Sequence, residues 1–265
     1  MTASEWIWSK FLLRGYAGLF YVFLYVPLFV LILLSFNDSS AMSFPFVGFT
    51  TKWYNSVLAG GELMAAMRNS IMLGVVSAFI ATALALMASL GLRHKFPLRG
   101  FVFPIILIPV VMPGIVSGVV LLVYIGFAGL PYGLWTAVLP AHITWVLPFA
   151  FLTLHPQISR FDPALEEAAM DLGAKPFEVF MRVLFPIIRP ALIATLLFSF
   201  TISFDEFIRT LFVISAERTV PFYLWVLIID RVAPFLPAMG VVLMAISMLV
   251  AGAGFLFSQR TNTSH

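Results

Sequence analysis

Long apolar runs separated by short polar turns organise this chain. A helix that crosses a bilayer needs about 20 mainly apolar residues. Six runs reach that length, at 16–36, 70–92, 101–128, 133–154, 191–214 and 237–258. The third contains Pro104, Pro109 and Pro113. Each proline removes a backbone donor, so this span is predicted to kink or to begin as a re-entrant piece. The first run is too long for the apolar core of a signal peptide, and no small-x-small cleavage site follows it, so it reads as a retained helix. Residues 1–15 form an amphipathic start whose Trp6, Trp8 and Phe11 suit the membrane interface.

Composition supports the pattern. Hydrophobic residues make up 62% of the 265 positions and charged residues 10%, against about 25% charge in a soluble domain. Mean hydropathy is +1.04. The fold expected is an all-α membrane protein, one transmembrane domain over 1–265. Cysteine is absent, which excludes disulfides and thiolate metal sites. His94, His142, His155 and His265 show no metal-ligand spacing, so neither a metal nor a cofactor is expected. The net charge of +3 comes from basic residues scattered between apolar runs, which read as topology signals and not as a nucleic-acid surface. Ten of the fifteen lie in turns on one side: Lys10, Arg14, Arg93, Lys95, Arg99, Arg160, Lys175, Arg182, Arg189 and Arg260. Lys52, Arg68, Arg218 and Arg231 lie on the other. By the positive-inside rule both termini and the segment 155–190 are cytoplasmic.

That segment is the most polar part of the chain. Asp162-Pro163 is a helix start, Asp capping free N–H groups and Pro fitting the first turn. Leu165, Ala168, Ala169 and Leu172 then follow at i, i+3, i+4 and i+7, one apolar stripe, with Glu166, Glu167 and Asp171 beside it and Gly173 where a helix ends. A second short helix is expected from Pro176, carrying Phe177, Phe180, Met181 and Leu184, with Glu178 and Arg182 as an i,i+4 pair and Pro186 and Pro190 closing it. Two readings stand: both helices lie on the inner membrane surface, or the first inserts into a groove on a partner protein. An acidic helix is repelled by an anionic leaflet, which favours the second.

Glu167-Ala168-Ala169, Gly173 six residues after Glu167, and then Val183-Leu184-Phe185-Pro186 resemble the EAA signature of ABC importer permeases, here with Val183 for Ile and Phe185 for Leu. Six spans with this motif between the fourth and fifth are similar to the type I (MetI-like) family. The resemblance implies an inner-membrane, multi-pass permease whose first loop helix seats on a cytoplasmic ATP-binding subunit. Glu167, Ala168, Ala169 and Gly173 would be the coupling positions, flanked by Glu166, Asp171 and Leu172. It also implies a second permease subunit, a different chain, and a periplasmic solute-binding protein. The four lysines follow Ser9, Thr51, His94 and Ala174, so no Walker phosphate loop exists. There is no Gly-x-Ser-x-Gly or His-Glu-x-x-His either. The chain is expected to be a transport subunit without an ATPase site or any other enzyme activity.

Within the fifth run, Thr201-Ile202-Ser203-Phe204-Asp205-Glu206-Phe207-Ile208-Arg209 carries three charges. A charge at mid-membrane costs about 2.5–3.5 kcal/mol on insertion scales, so such residues face an interior, a wet cavity or an interface. Asp205 and Arg209 stand at i,i+4 and neutralise each other on one reading. On another, Asp205 or Glu206 attracts a cationic substrate, with Ser203 on the same path. Ser-Phe-Asp-Glu-Phe, followed by Val220-Pro221-Phe222-Tyr223, resembles the spermidine/putrescine group, while Pro237-Ala238-Met239 departs from that group's Asn-Ala. The substrate implied is a small organic cation. The competing class is an ion- or proton-coupled secondary transporter using Asp205, Glu206 and Arg209 as a relay; the absence of an inverted repeat argues against it. Three details stay open. The loop 37–69 either lies on the outer leaflet or docks a delivering protein. The Gly114-Ile115-Val116-Ser117-Gly118 stripe is expected to pack on the small-residue second span. His142 is either hydrogen-bonded packing or a ligand.

Overall fold

The computed structural model describes residues 3–40, 42–230 and 233–262. Arg231 and the side chains of Trp6, Trp8, Phe11 and Arg260 lie outside the described residues. Among the described residues every regular element is a helix, and a single isolated antiparallel bridge joins Asn37 and Phe49. Its contacts divide it into two units, residues 1–61 with 226–250 and residues 62–225 with 251–265.

In the first unit, α1 (Ala3–Ser35) absorbs the amphipathic start into one helix with the first span. Gly240 lies against it: a Cβ there would stand 3.1 Å from Leu31 Cδ2. The chain after α1 folds back on itself. Phe36 stacks on Phe49 at 5.0 Å, and Ser35 Oγ and Tyr54 OH share a hydrogen bond of 2.6 Å. Asn37 Oδ1 accepts from Val47 N, and its carbonyl accepts from Trp53 Nε1, both at 2.8 Å. Lys52 pairs with Asp38. The short helix α2 (Lys52–Ala59) follows.

The second unit holds the long α3 (Gly61–Gly91), which starts nine residues before the predicted span. Next come α4 (Arg99–Val111) and α5 (Gly114–Phe127), bent by 103° where Pro113 cannot donate to the preceding turn. A π turn at Leu134–Val138 leads into α6 (Leu139–Ser159), and α7 (Pro163–Asp171) and α8 (Pro176–Val179) follow. A second π turn at Phe180–Leu184 leads into α9 (Phe185–Phe204). After a break comes α10 (Ile208–Val213); the chain then leaves this unit within α11 (Val220–Asp230), and most of α12 (Leu236–Asn262) belongs to the first unit. Both π turns precede a proline, Pro140 or Pro186. The wide i→i−5 bonds, such as Phe185 N–H to the Phe180 carbonyl, let the helix pass a residue with no N–H to offer. Among the described residues four helices are long and apolar enough to cross a membrane, the bent α4–α5 pair makes a fifth, and Leu236–Leu249 is a shorter apolar stretch.

The core runs along α6, which packs on α9 and α4 while α5 packs on α10. Successive layers pair Ala141 with Leu73, Ala137 and Val213, then Val146, Ala150 and Phe151 with Ala81 and Ala85, then Leu154 and Ile158 with Phe161, Leu184 and Ile188. Without a hydrophobic force between helices in lipid, close approach through small residues holds such layers together. On α3 Gly74 supplies it, since a Cβ there would lie 2.9 Å from Phe200.

Three expectations are corrected. The second loop helix is not separate: α8, the π turn and α9 form one continuous apolar stretch, Pro176–Phe204, because the π register accommodates Pro186 instead of stopping there. The helix expected over 191–214 is broken after Phe204. The Gly114–Gly118 stripe faces α10 and not α3; a Cβ on Gly118 would come within 2.3 Å of Phe212, and one on Gly114 within 3.3 Å of Ile208. Once the fifth helix breaks, α10 supplies the bulky side chains that fill the grooves those glycines leave.

Candidate functional site: the loop helix and the buried cluster

Local chemistry builds α7. Asp162 Oδ1 accepts from Ala164 N at 3.0 Å, satisfying one of the free donors of the first turn. At the other end Gly173 adopts φ +89, its N–H donates to the Met170 carbonyl at 2.8 Å, and Ala174 N–H reaches the Ala169 carbonyl at 3.1 Å. Those two bonds and the left-handed glycine form a Schellman stop. Between these caps no residue of α7 is buried. Leu165 and Leu172 of the predicted stripe are 48% and 89% exposed, Ala168 is exposed and Ala169 half-buried. Glu167 and Asp171 also face outward.

Glu166 does not. Its two carboxylate oxygens accept from Arg93 Nη1 at 2.6 Å and Nη2 at 3.1 Å. The Arg93 guanidinium also lies 5.2 Å from the Phe161 ring. Glu178, expected to pair with Arg182, instead turns back and accepts from Lys175 N at 3.0 Å, taking up a donor that the first turn of α8 leaves free.

The buried cluster forms where α9 ends. Glu206 and Arg209 are 6% and 3% exposed. One Glu206 oxygen accepts from Arg209 N at 2.8 Å and caps the start of α10; the other accepts from Arg209 Nη1 at 3.0 Å. The guanidinium carbon sits 3.7 Å above the Trp145 ring, a cation–π contact. Arg209 Nη2 is buried with no partner. The expected Asp205–Arg209 pair is therefore replaced by Glu206–Arg209, because the helix break removes the i,i+4 geometry that pairing needed. Asp205 is exposed, and among the described residues no ion pair or hydrogen bond engages its carboxylate.

His142, 1% exposed, joins the elements. Its Nδ1 lies 2.8 Å from Ser203 Oγ and its Nε2 2.8 Å from Thr210 Oγ1. Ser77 Oγ donates to Ser203 Oγ at 2.7 Å, and Thr210 Oγ1 to the Glu206 carbonyl at 3.2 Å. With the ring proton placed on Nε2, one direction serves the whole chain, from Ser77 through Ser203 and His142 to Thr210 and the Glu206 carbonyl. His142 is thus hydrogen-bonded packing between α3, α6, α9 and α10, and Ser203 is occupied in the same chain. Ser77 and Trp145 read from the sequence only as span residues and Arg93 only as a basic turn residue, and Thr210 does not stand out there. Ser77 and Arg93 meet partners 126 and 73 positions away, and no local pattern announces such pairs.

Residues 81–263 match the family of binding-protein-dependent transport system inner membrane components. The chain belongs to that family. It is an all-α, multi-pass inner-membrane permease. It is 31% identical over 253 residues to the spermidine/putrescine transport system permease protein PotC of Escherichia coli K12, covering 95% of each chain. To the putrescine transport system permease protein PotI of the same strain it is 32% identical over 209 residues, 75% of this chain and 73% of PotI. Its fold is that of solved transporter chains: one from a bacterial ABC transporter that imports the acidic polysaccharide alginate (TM-score 0.76, 16% identity, 97% and 96% coverage) and one from the MetNI methionine ABC transporter (TM-score 0.61, 17% identity, 76% and 96% coverage). In this permease the EAA residues Glu167, Ala168 and Ala169 lie on α7, and Gly173 is its left-handed stop.

Proposed function

We propose that this permease imports a small organic cation of the polyamine class, driven by ATP hydrolysis on separate cytoplasmic subunits. The observation that carries the coupling half is α7: a capped helix of nine residues with none buried. Apolar side chains left in water beside acidic ones suit a groove on another protein. Glu167, Ala168, Ala169, Asp171 and Leu172 are the seating residues, and Gly173 sets the turn that presents them. Both termini are cytoplasmic, a solute-binding protein delivers the cation from the other side, and a second permease chain completes the path. The chain itself carries no enzymatic step.

Asp205 supports the substrate class. It stands at the break between α9 and α10 with an uncompensated carboxylate, while the neighbouring Glu206 is closed by Arg209. A polyamine has several ammonium groups for which such a carboxylate is the natural partner, and the relatives PotC and PotI are named for spermidine and putrescine. The relay reading of Asp205, Glu206 and Arg209 is disfavoured because both Glu206 oxygens are already engaged.

Co-purification tests coupling. Glu167→Lys or Gly173→Pro should release the ATP-binding subunit from the assembled transporter, and retention by both variants refutes the seating. Uptake of labelled putrescine or spermidine tests the substrate class. Asp205→Asn should lower it about tenfold, the scale of one lost ion pair in a partly shielded site; unchanged uptake removes Asp205 from the path.

A further inference from the structure

We infer that Arg93 and Glu166 are the joint through which α7 moves α3, and that α3 is the rod that carries this motion to the helix break beside Asp205. The inference rests on the coupling reading of α7 and adds a route to it.

Three observations meet here. First, Glu166 belongs to the polar flank of the EAA segment, yet it turns away from the exposed face and grips Arg93 through both oxygens. The two side chains are only 17% and 25% exposed, so this pair is shielded more than an ordinary surface ion pair. The paired, planar geometry also resists rotation as well as separation. Second, Arg93 closes the turn directly after α3. Leu92, Arg93 and His94 donate in succession to Ala88, Leu90 and Gly91, so a pull on the guanidinium is delivered to the end of the helix and not to a slack loop. Phe161, buried beneath the guanidinium, belongs to the layer of Leu154, Ile158, Leu184 and Ile188. Third, α3 has a second polar joint. Ser77 lies 16 positions before Arg93, roughly 24 Å along a helix, and donates to Ser203 at the end of α9. Ser203 is two residues from Asp205 and leads through His142 and Thr210 to Glu206.

A displacement of α7 thus enters α3 at Arg93 and leaves it at Ser77, at the discontinuity where α9 becomes α10. A broken helix is where a bundle yields, because its ends are not tied by continuous backbone hydrogen bonds. Glu166 and Arg93 are positioning residues on this account: they touch neither nucleotide nor solute.

The test uses the assembled transporter with its ATP-binding subunits and reads hydrogen exchange over residues 200–210 without nucleotide and with trapped ATP and vanadate. The wild-type complex should show a nucleotide-driven change there. Glu166→Gln and Arg93→Gln should keep the ATP-binding subunit in full yield and reduce that change about tenfold, within the usual range of coupling between sites. The exchanged pair Arg93→Glu with Glu166→Arg should restore at least half of it. A single variant that keeps the wild-type response overturns the inference. So does loss of the ATP-binding subunit on Glu166→Gln that the exchanged pair does not repair, since Glu166 would then contact that subunit and not Arg93. A wild-type chain that never binds the subunit defeats the coupling reading itself, a result distinct from either.

Discussion

Glu206 and Asp205 are adjacent carboxylates, and the structure gives them opposite roles that one substitution separates. Glu206→Gln keeps the shape of the side chain and one acceptor for Arg209 N, but removes the counter-charge of a guanidinium that is 3% exposed and already has one unpartnered nitrogen. Removing one member of a buried ion pair costs about 3–5 kcal/mol because the other charge stays behind. The amide oxygen retains about 1 kcal/mol of that through the surviving hydrogen bond to Arg209 N. The expected loss is therefore about 2–4 kcal/mol. Reversible unfolding of the purified permease in mixed detergent, followed by tryptophan fluorescence, measures it. Asp205→Asn is the control and should stay within about 0.5 kcal/mol of wild type, as an exposed substitution without a partner does. Adding Arg209→Met to Glu206→Gln should recover at least half the loss, since the stranded charge is gone. A Glu206→Gln cost below about 1 kcal/mol, or a double variant less stable than the single one, refutes the closed-pair account.

Other predictions follow from the same geometry. Gly118→Leu drives a side chain into Phe212, 2.3 Å from where its Cβ would stand, and should destabilise by about 1–3 kcal/mol; adding Phe212→Ala should relieve part of this in the same unfolding assay. His142→Leu removes two hydrogen bonds of 2.8 Å and should cost about 1–3 kcal/mol, allowing for the modest worth of such bonds inside membranes. Gly173→Ala places a Cβ at φ +89 and should cost about 1–2 kcal/mol locally, seen as faster amide exchange at Ala174 with global stability nearly unchanged.

The apolar helices, the loop helix and its stop could be read from the chain because their causes are local, although the fifth run breaks after Phe204 and the described residues hold four or five helices of spanning length where the sequence shows six apolar runs. Span length is a property of about 20 consecutive residues. The cap at Asp162 and the left-handed Gly173 depend on neighbours two to five positions away. Proline misled the reading in one place for the same local reason: Pro186 looks like a helix stop until the preceding π turn is seen to absorb its missing donor.

The amino-acid order alone established a membrane-embedded helical bundle and a polar loop helix between its fourth and fifth apolar runs. Hydrophobic periodicity and the sign of charge in the turns act along the chain and need no knowledge of its path. Which charges are free came only from the folded bundle. Asp205 and Glu206 are indistinguishable by spacing, and Glu166 and Glu167 nearly so. One of each pair is closed by an arginine and the other left open, depending on where α9 breaks and where the α3–α4 turn meets α7. Those are convergences of distant segments, and the energy of an ion pair depends on separation in space, not in sequence.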